Sequence, residues 1–166
     1  MSAADIVALL RALAVIPIAW LVLAGDDAVA LAVFVVAALS DALDGWLARR
    51  AGGLAPRGAF IDPLADKILV VGVLLALTLA GRGWPVTVVT ILVALREGVV
   101  TILRARALGR GVTVGADRIA KLKTVAEMVG VALIILDGRP WAVLGAGIVG
   151  LAFLLSLATL PRYLSR

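Results

Sequence analysis

Four aspartates carry the chemistry open to this sequence. Asp41 and Asp44 are three residues apart, and Asp62 and Asp66 are four apart. On a helix, Asp41, Asp44, Gly45 and Ala48 follow the i, i+3, i+4, i+7 pattern of one face. Gly58, Asp62 and Asp66 follow i, i+4, i+8 and align in the same way. Only the short segment Arg50 to Arg57 separates the two stretches, which makes them antiparallel neighbours. Four carboxylates then converge. Left bare in a low dielectric they would repel, and some would protonate. Two divalent cations cancel their charge, and an all-oxygen donor set suits hard ions. The spacing therefore points to a two-metal site, with Gly45 and Ala48 leaving room beside it for a ligand. The alternative is that the aspartates pair with Arg49, Lys67 and other bases and only join helices.

These acids stand in apolar surroundings. Of 166 residues, 63% are hydrophobic and 16% charged, and the mean hydropathy is +1.14. A soluble domain carries roughly a quarter charged residues, so an integral membrane protein is expected instead. A spanning helix needs about 20 apolar residues. Six apolar stretches can be read, at 6–24, 28–48, 59–80, 84–107, 116–136 and 140–160. The expected architecture is all-α: a polytopic membrane protein with six transmembrane helices in one bundle, a single domain over residues 1–166. The chain has no cysteine and no histidine, which excludes disulfides, thiolate or imidazole metal sites, and Ser-His-Asp or Cys-His catalysis.

Loop charge sets an orientation. The loops after the first, third and fifth stretches carry only Arg82 and Arg139 beside Asp26, Asp27 and Asp137. The opposite side carries Arg49, Arg50, Arg57, Arg110, Arg162 and Arg166. The positive-inside rule places both termini on the cytoplasmic side. The net charge of +5 is read as topology and attraction to anionic lipid, with no nucleic acid as partner. Trp20, Trp84 and Trp141 lie near the outer ends of stretches, as interface anchors do. Gly145, Gly147 and Gly150 give the last stretch a small-residue patch for packing against another helix.

Further charges lie inside the apolar stretches: Arg11, Arg96, Glu97, Lys121, Lys123 and Glu127. Each is costly at mid-bilayer unless it faces a polar cavity or a partner. Counted from the outer ends, Arg11, Asp41, Asp66, Arg96 and Lys121 fall at similar depth, about 18–23 Å in at about 1.5 Å per residue. Five helices thus bring ionisable groups to one layer in the cytoplasmic half of the membrane. As structural charges, Arg96 would form a salt bridge within its helix or to Glu127, and Glu97 would be a partner for Lys121 or Lys123.

The pattern Asp41-x2-Asp44-Gly45-x2-Ala48-Arg49-x8-Gly58-x3-Asp62-x3-Asp66 resembles the signature of the CDP-alcohol phosphotransferase family at every fixed position. The segment from Phe60 to Lys67, the Arg96-Glu97 pair and the Ala120-Lys121-Leu122-Lys123-Thr124 segment resemble the family's phosphatidylglycerophosphate-forming subgroup. Asp5, Ala8 and Ala120 depart from that subgroup's usual Asn, Thr and Gly. The resemblance implies a six-helix homodimeric enzyme of the bacterial inner membrane, with its active site on the cytoplasmic side. Its implied substrates are CDP-diacylglycerol and glycerol 3-phosphate. It implies Asp41, Asp44, Asp62 and Asp66 as ligands of two divalent cations, Mg²⁺ with Mn²⁺ as the alternative, and Asp66 as general base. It implies donor binding by Asp41, Asp44, Gly45, Ala48, Arg49 and Gly58. A phosphorylated acceptor needs basic partners, and Arg96, Lys121 and Lys123 are the candidates, followed by Arg11, Arg104 and Arg118. The alternatives are a relative using inositol phosphate, phosphatidylglycerol or serine, or a divalent-cation transporter built on the same intramembrane acids.

Overall fold

The computed structural model describes residues 3–50, 58–109 and 118–157, with side chains over 6–40, 64–103 and 122–157. Every element among the described residues is helical: α1 (Ala3–Leu13), α2 (Val15–Ala24), α3 (Asp27–Arg50), α4 (Gly58–Leu79), α5 (Trp84–Gly109), α6 (Arg118–Ile135) and α7 (Arg139–Leu157). At 1.5 Å per residue, α3 to α7 run about 27–39 Å each, close to the thickness of a hydrocarbon core.

The first apolar stretch is one rod interrupted at Ala14. Pro17 has no N–H, and its ring crowds the carbonyl four residues back, that of Leu13. The bonds on either side survive: Ala14 N–H donates to Leu10 O at 2.9 Å, and Ile18 N–H to Ala14 O at 3.2 Å. Ile6–Ala24, Trp84–Leu103 and Arg139–Leu157 are the stretches among the described residues that are long and apolar enough to cross a membrane.

Helix α4 is the centre of the bundle and touches α1, α2, α5 and α6. Its Leu69, Val73, Leu74 and Leu77 are fully buried against Ile18, Phe34, Val86, Val93 and Ile134. Between lipid-solvated helices the hydrophobic effect gives little, so close packing has to hold them. Glycine makes that closeness possible. A methyl group on Gly145 of α7 would lie 2.5 Å from Gly130 O on α6, and one on Gly130 would lie 2.8 Å from Gly145 O. The backbones of α6 and α7 therefore meet there. Of the three glycines in the small-residue patch, Gly145 makes this crossing, Gly150 faces Val89 of α5, and Gly147 faces open space.

The outside of the bundle is apolar. Leu10, Ile16, Val36, Leu79, Leu95 and Leu151 come from six different helices and are each more than 60% exposed. Such a surface suits lipid and would be a liability in water. Trp20, Trp84 and Trp141 are also exposed, at the same end of the bundle as the short turns.

Those turns use one device twice. Gly25 and Gly81 adopt left-handed φ values of 85° and 73°, which a side chain would resist. At the first, Gly25 N–H donates to Val22 O at 3.3 Å and Asp26 N–H to Leu21 O at 2.9 Å. At the second, Gly81 N–H donates to Thr78 O at 3.1 Å and Arg82 N–H to Leu77 O at 3.2 Å. This is the paired closure of a helix C-terminus, and it projects Arg82 onto two neighbouring turns. The Arg82 guanidinium binds Asp27 through Nη2 and Asp137 through Nη1. The loops after the first, third and fifth apolar stretches are thereby tied together at one end.

Candidate active site

The two halves of the aspartate motif lie on α3 and α4. Asp41, Asp44, Gly45, Ala48 and Arg49 occupy the C-terminal part of α3, while Gly58, Asp62 and Asp66 occupy the first turns of α4. Helices α1 and α6 each pack on both. The side chains of Asp41, Asp44, Ala48, Arg49 and Asp62, and Gly45 and Gly58 with them, lie outside the described set, as do the side chains of Arg104, Arg118 and Lys121. The convergence of four carboxylates expected from the spacing involves three of these. Among the described residues no group of three acids gathers as a metal cage.

Asp66 is described, and it has a cation beside it. Arg11 Nη1 on α1 donates to Asp66 Oδ1 at 2.9 Å, the guanidinium almost wholly buried and the carboxylate side chain 20% exposed. That remaining exposure leaves Asp66 within reach of a ligand. Arg11, one of the candidate phosphate ligands, is in this structure a partner of the candidate base. Its position fits the expected layer, since α1 and α4 bring their charges to the same level.

The next residue along α4 begins a second network. Lys67 Nζ lies 2.9 Å from Glu97 Oε2 on α5 and donates to Thr101 Oγ1 at 2.9 Å. Thr101 in turn donates to the Glu97 carbonyl at 2.7 Å. Glu97 Oε1 accepts from Lys123 Nζ of α6 at 2.6 Å and from Nη1 of the adjacent Arg96. Lys123 also reaches Glu127 Oε1, 3.3 Å away and one turn further along α6. Arg96, Glu97, Lys123 and Glu127 all have side chains at least nine-tenths buried. Arg96 thus makes the intrahelical pairing weighed from the sequence, and Glu97 takes Lys123 as its partner.

Sequence reasoning did not foresee that Glu97 would gather three cations or that Lys67 would join them. The signal was available. Adjacent helix positions point about 100° apart, so with Asp66 facing α1, Lys67 must address a different neighbour. Lys123 and Glu127 are also an i, i+4 acid–base pair.

The sequence profile of the CDP-alcohol phosphatidyltransferase family matches residues 1–159. The chain belongs to that family. It is 38% identical over 141 residues to a probable phosphatidylglycerophosphate synthase of Mycobacterium tuberculosis, covering 83% of this chain and 65% of that protein. It is 35% identical over 136 residues to a CDP-diacylglycerol–glycerol-3-phosphate 3-phosphatidyltransferase of Shigella flexneri, covering 80% and 75% of the two chains. A protein of the same name from Salmonella typhimurium is 33% identical over 153 residues, with 90% and 81% covered. The chain thus spans a little under two thirds of the length of its mycobacterial relative. Its membership of this family and its apolar exterior fit an integral membrane protein.

Members of the family generally use divalent cations. The donor set fits: the motif offers aspartate oxygens alone, with no histidine or cysteine anywhere in the chain, and hard divalent ions prefer oxygen. The Asp66 carboxylate already draws a cationic group, Arg11, to its side.

Proposed function

We propose that this chain transfers the phosphatidyl group of CDP-diacylglycerol to sn-glycerol 3-phosphate, giving phosphatidylglycerophosphate and CMP. The observation that carries the reading is that Asp66, last residue of the aspartate motif, is followed on α4 by Lys67, which ties into the buried cluster of Arg96, Glu97, Lys123 and Glu127 on α5 and α6. A hydroxyl to be deprotonated and a phosphate to be anchored need a base and a cationic pocket side by side. The names of the Shigella and Salmonella relatives support the same acceptor.

In the proposed mechanism Asp66 removes the proton of the acceptor hydroxyl. The hydroxyl oxygen forms a bond to the phosphatidyl phosphorus, and the bond from that phosphorus to the bridging oxygen breaks, releasing CMP. Asp41, Asp44, Asp62 and Asp66 would hold two divalent ions, Mg²⁺ or Mn²⁺, which supply positive charge at the diphosphate. Gly45, Ala48, Arg49 and Gly58, together with Asp41 and Asp44, would bind the CDP-linked donor. Arg96, Lys121 and Lys123 receive the acceptor phosphate, with Arg104 and Arg118 at the cytoplasmic helix ends. Arg11 is placed beside the base.

Residues 1–166 form one domain of six spans, with α1 and α2 together as the first. Both termini and the active site face the cytoplasm of a bacterial cell membrane, and two copies form a homodimer. A single transfer assay tests the acceptor. Membranes containing the protein, given CDP-diacylglycerol and Mg²⁺, should label lipid from radioactive glycerol 3-phosphate. Labelling from inositol phosphate, serine or phosphatidylglycerol in its place would overturn the assignment.

A further inference from the structure

Glu97 holds more than an interhelical ion pair requires. One carboxylate receives Lys67 from α4, Lys123 from α6 and its own neighbour Arg96. Glu127 joins the cluster through Lys123. Arg96 Nε is buried and has no hydrogen-bond partner among the described residues. A buried donor without an acceptor is costly. Set among the cations that Glu97 gathers, it suits a cluster that completes itself by taking an anion.

We propose that Glu97 is a positioning residue for the acceptor's phosphate. It holds Arg96 and Lys123, which would otherwise repel, at one point between α5 and α6. Through Lys67 it also fixes that point relative to Asp66, the preceding residue on α4. In a small phosphorylated alcohol the phosphate and the reacting hydroxyl are a few bonds apart. The distance from anchor to base therefore decides whether the hydroxyl reaches Asp66, and small misplacements are expensive. Glu97 touches neither substrate and acts through its cationic partners. The inference rests on the reading of Arg96 and Lys123 as acceptor ligands given above.

The test is Glu97→Gln, which keeps shape and removes charge. The KM for glycerol 3-phosphate should rise at least about 10-fold, the scale of one lost hydrogen bond to a charged group. The KM for CDP-diacylglycerol should stay within about twofold, because a merely structural loss would move both constants. Glu97→Asp should restore part of the acceptor affinity. Inorganic phosphate, added to the purified protein in detergent, should raise the Tm of the wild type and not that of Glu97→Gln. An unchanged acceptor KM, equal rises in both KM values, or equal phosphate shifts in the two proteins would overturn the proposal. So would a wild type whose Tm ignores phosphate. If the wild type transfers nothing to glycerol 3-phosphate, the acceptor assignment fails, and the phosphate shift alone still decides the role of Glu97. If Glu97→Gln does not fold, Glu97→Asp replaces it in both assays, and wild-type behaviour there overturns the proposal.

Discussion

Arg11 of α1 donates to Asp66 of α4 at 2.9 Å, joining residues 55 positions apart within an apolar bundle. The guanidinium is nearly inaccessible, whereas the carboxylate keeps a fifth of its surface. The pair fastens the first helix to the one that ends the aspartate motif. It also sets a cation beside the group assigned as base.

Arg11→Met should therefore destabilise the protein by about 3 kcal/mol, the lower end for breaking one side of a buried pair. Arg11→Lys should recover part of the loss, since an ammonium restores charge without the fork geometry. If divalent ions bind at Asp66, their charge substitutes for the guanidinium. The Tm gap between Arg11→Met and wild type should then be wider in chelator than in excess Mg²⁺. An identical gap in both would separate Asp66 from the metals.

Asp66→Asn addresses the chemistry. The amide is the same size and can still accept from Arg11, so the fold and CDP-lipid binding should persist. Turnover should fall by at least about 100-fold, the scale for loss of a general base. Radiolabel transfer at saturating substrates, with Tm as a control for folding, measures it. Near-normal turnover would remove Asp66 from the role.

Gly145 and Gly147 give a matched pair for the helix crossing. A methyl group on Gly145 meets the α6 backbone, while one on Gly147 meets nothing within 4 Å. Gly145→Ala should cost about 1–3 kcal/mol through overpacking. Gly147→Ala should stay within about 0.5 kcal/mol of wild type. Thermal unfolding in detergent distinguishes them, and equal Tm values would refute the close α6–α7 crossing.

Much of this arrangement was legible in the chain itself, and the reasons are physical. Charges inside apolar stretches have to find partners, so the shared depth of Arg11, Asp66 and Arg96 foretold a polar layer. Arg11 and Asp66 do meet there, and Lys67, Glu97 and Lys123 join beside them. Which charge would pair with which was not legible, because it depends on helix rotation as well as depth. Glu97 faces both α4 and α6, a fact set by how α5 is rotated within the bundle. The break at Ala14 was marked by Pro17, but hydropathy runs through it unchanged. Arg82 counted only as a loop charge. Its contacts with Asp27 and Asp137 follow from the left-handed closure at Gly81, a backbone feature that composition does not carry. Gly145 stood out as a small residue, whereas its partner Gly130 was hidden in a helix read for its charges.

The proposed transfer depends on metal ions held by the aspartates of α3 and α4. CMP release by the purified protein from CDP-diacylglycerol and glycerol 3-phosphate, followed as divalent ions are removed by chelator and returned, reads that dependence. Release should stop in chelator, resume with Mg²⁺ or Mn²⁺, and need the acceptor throughout. CMP release that continues undiminished in chelator would contradict it.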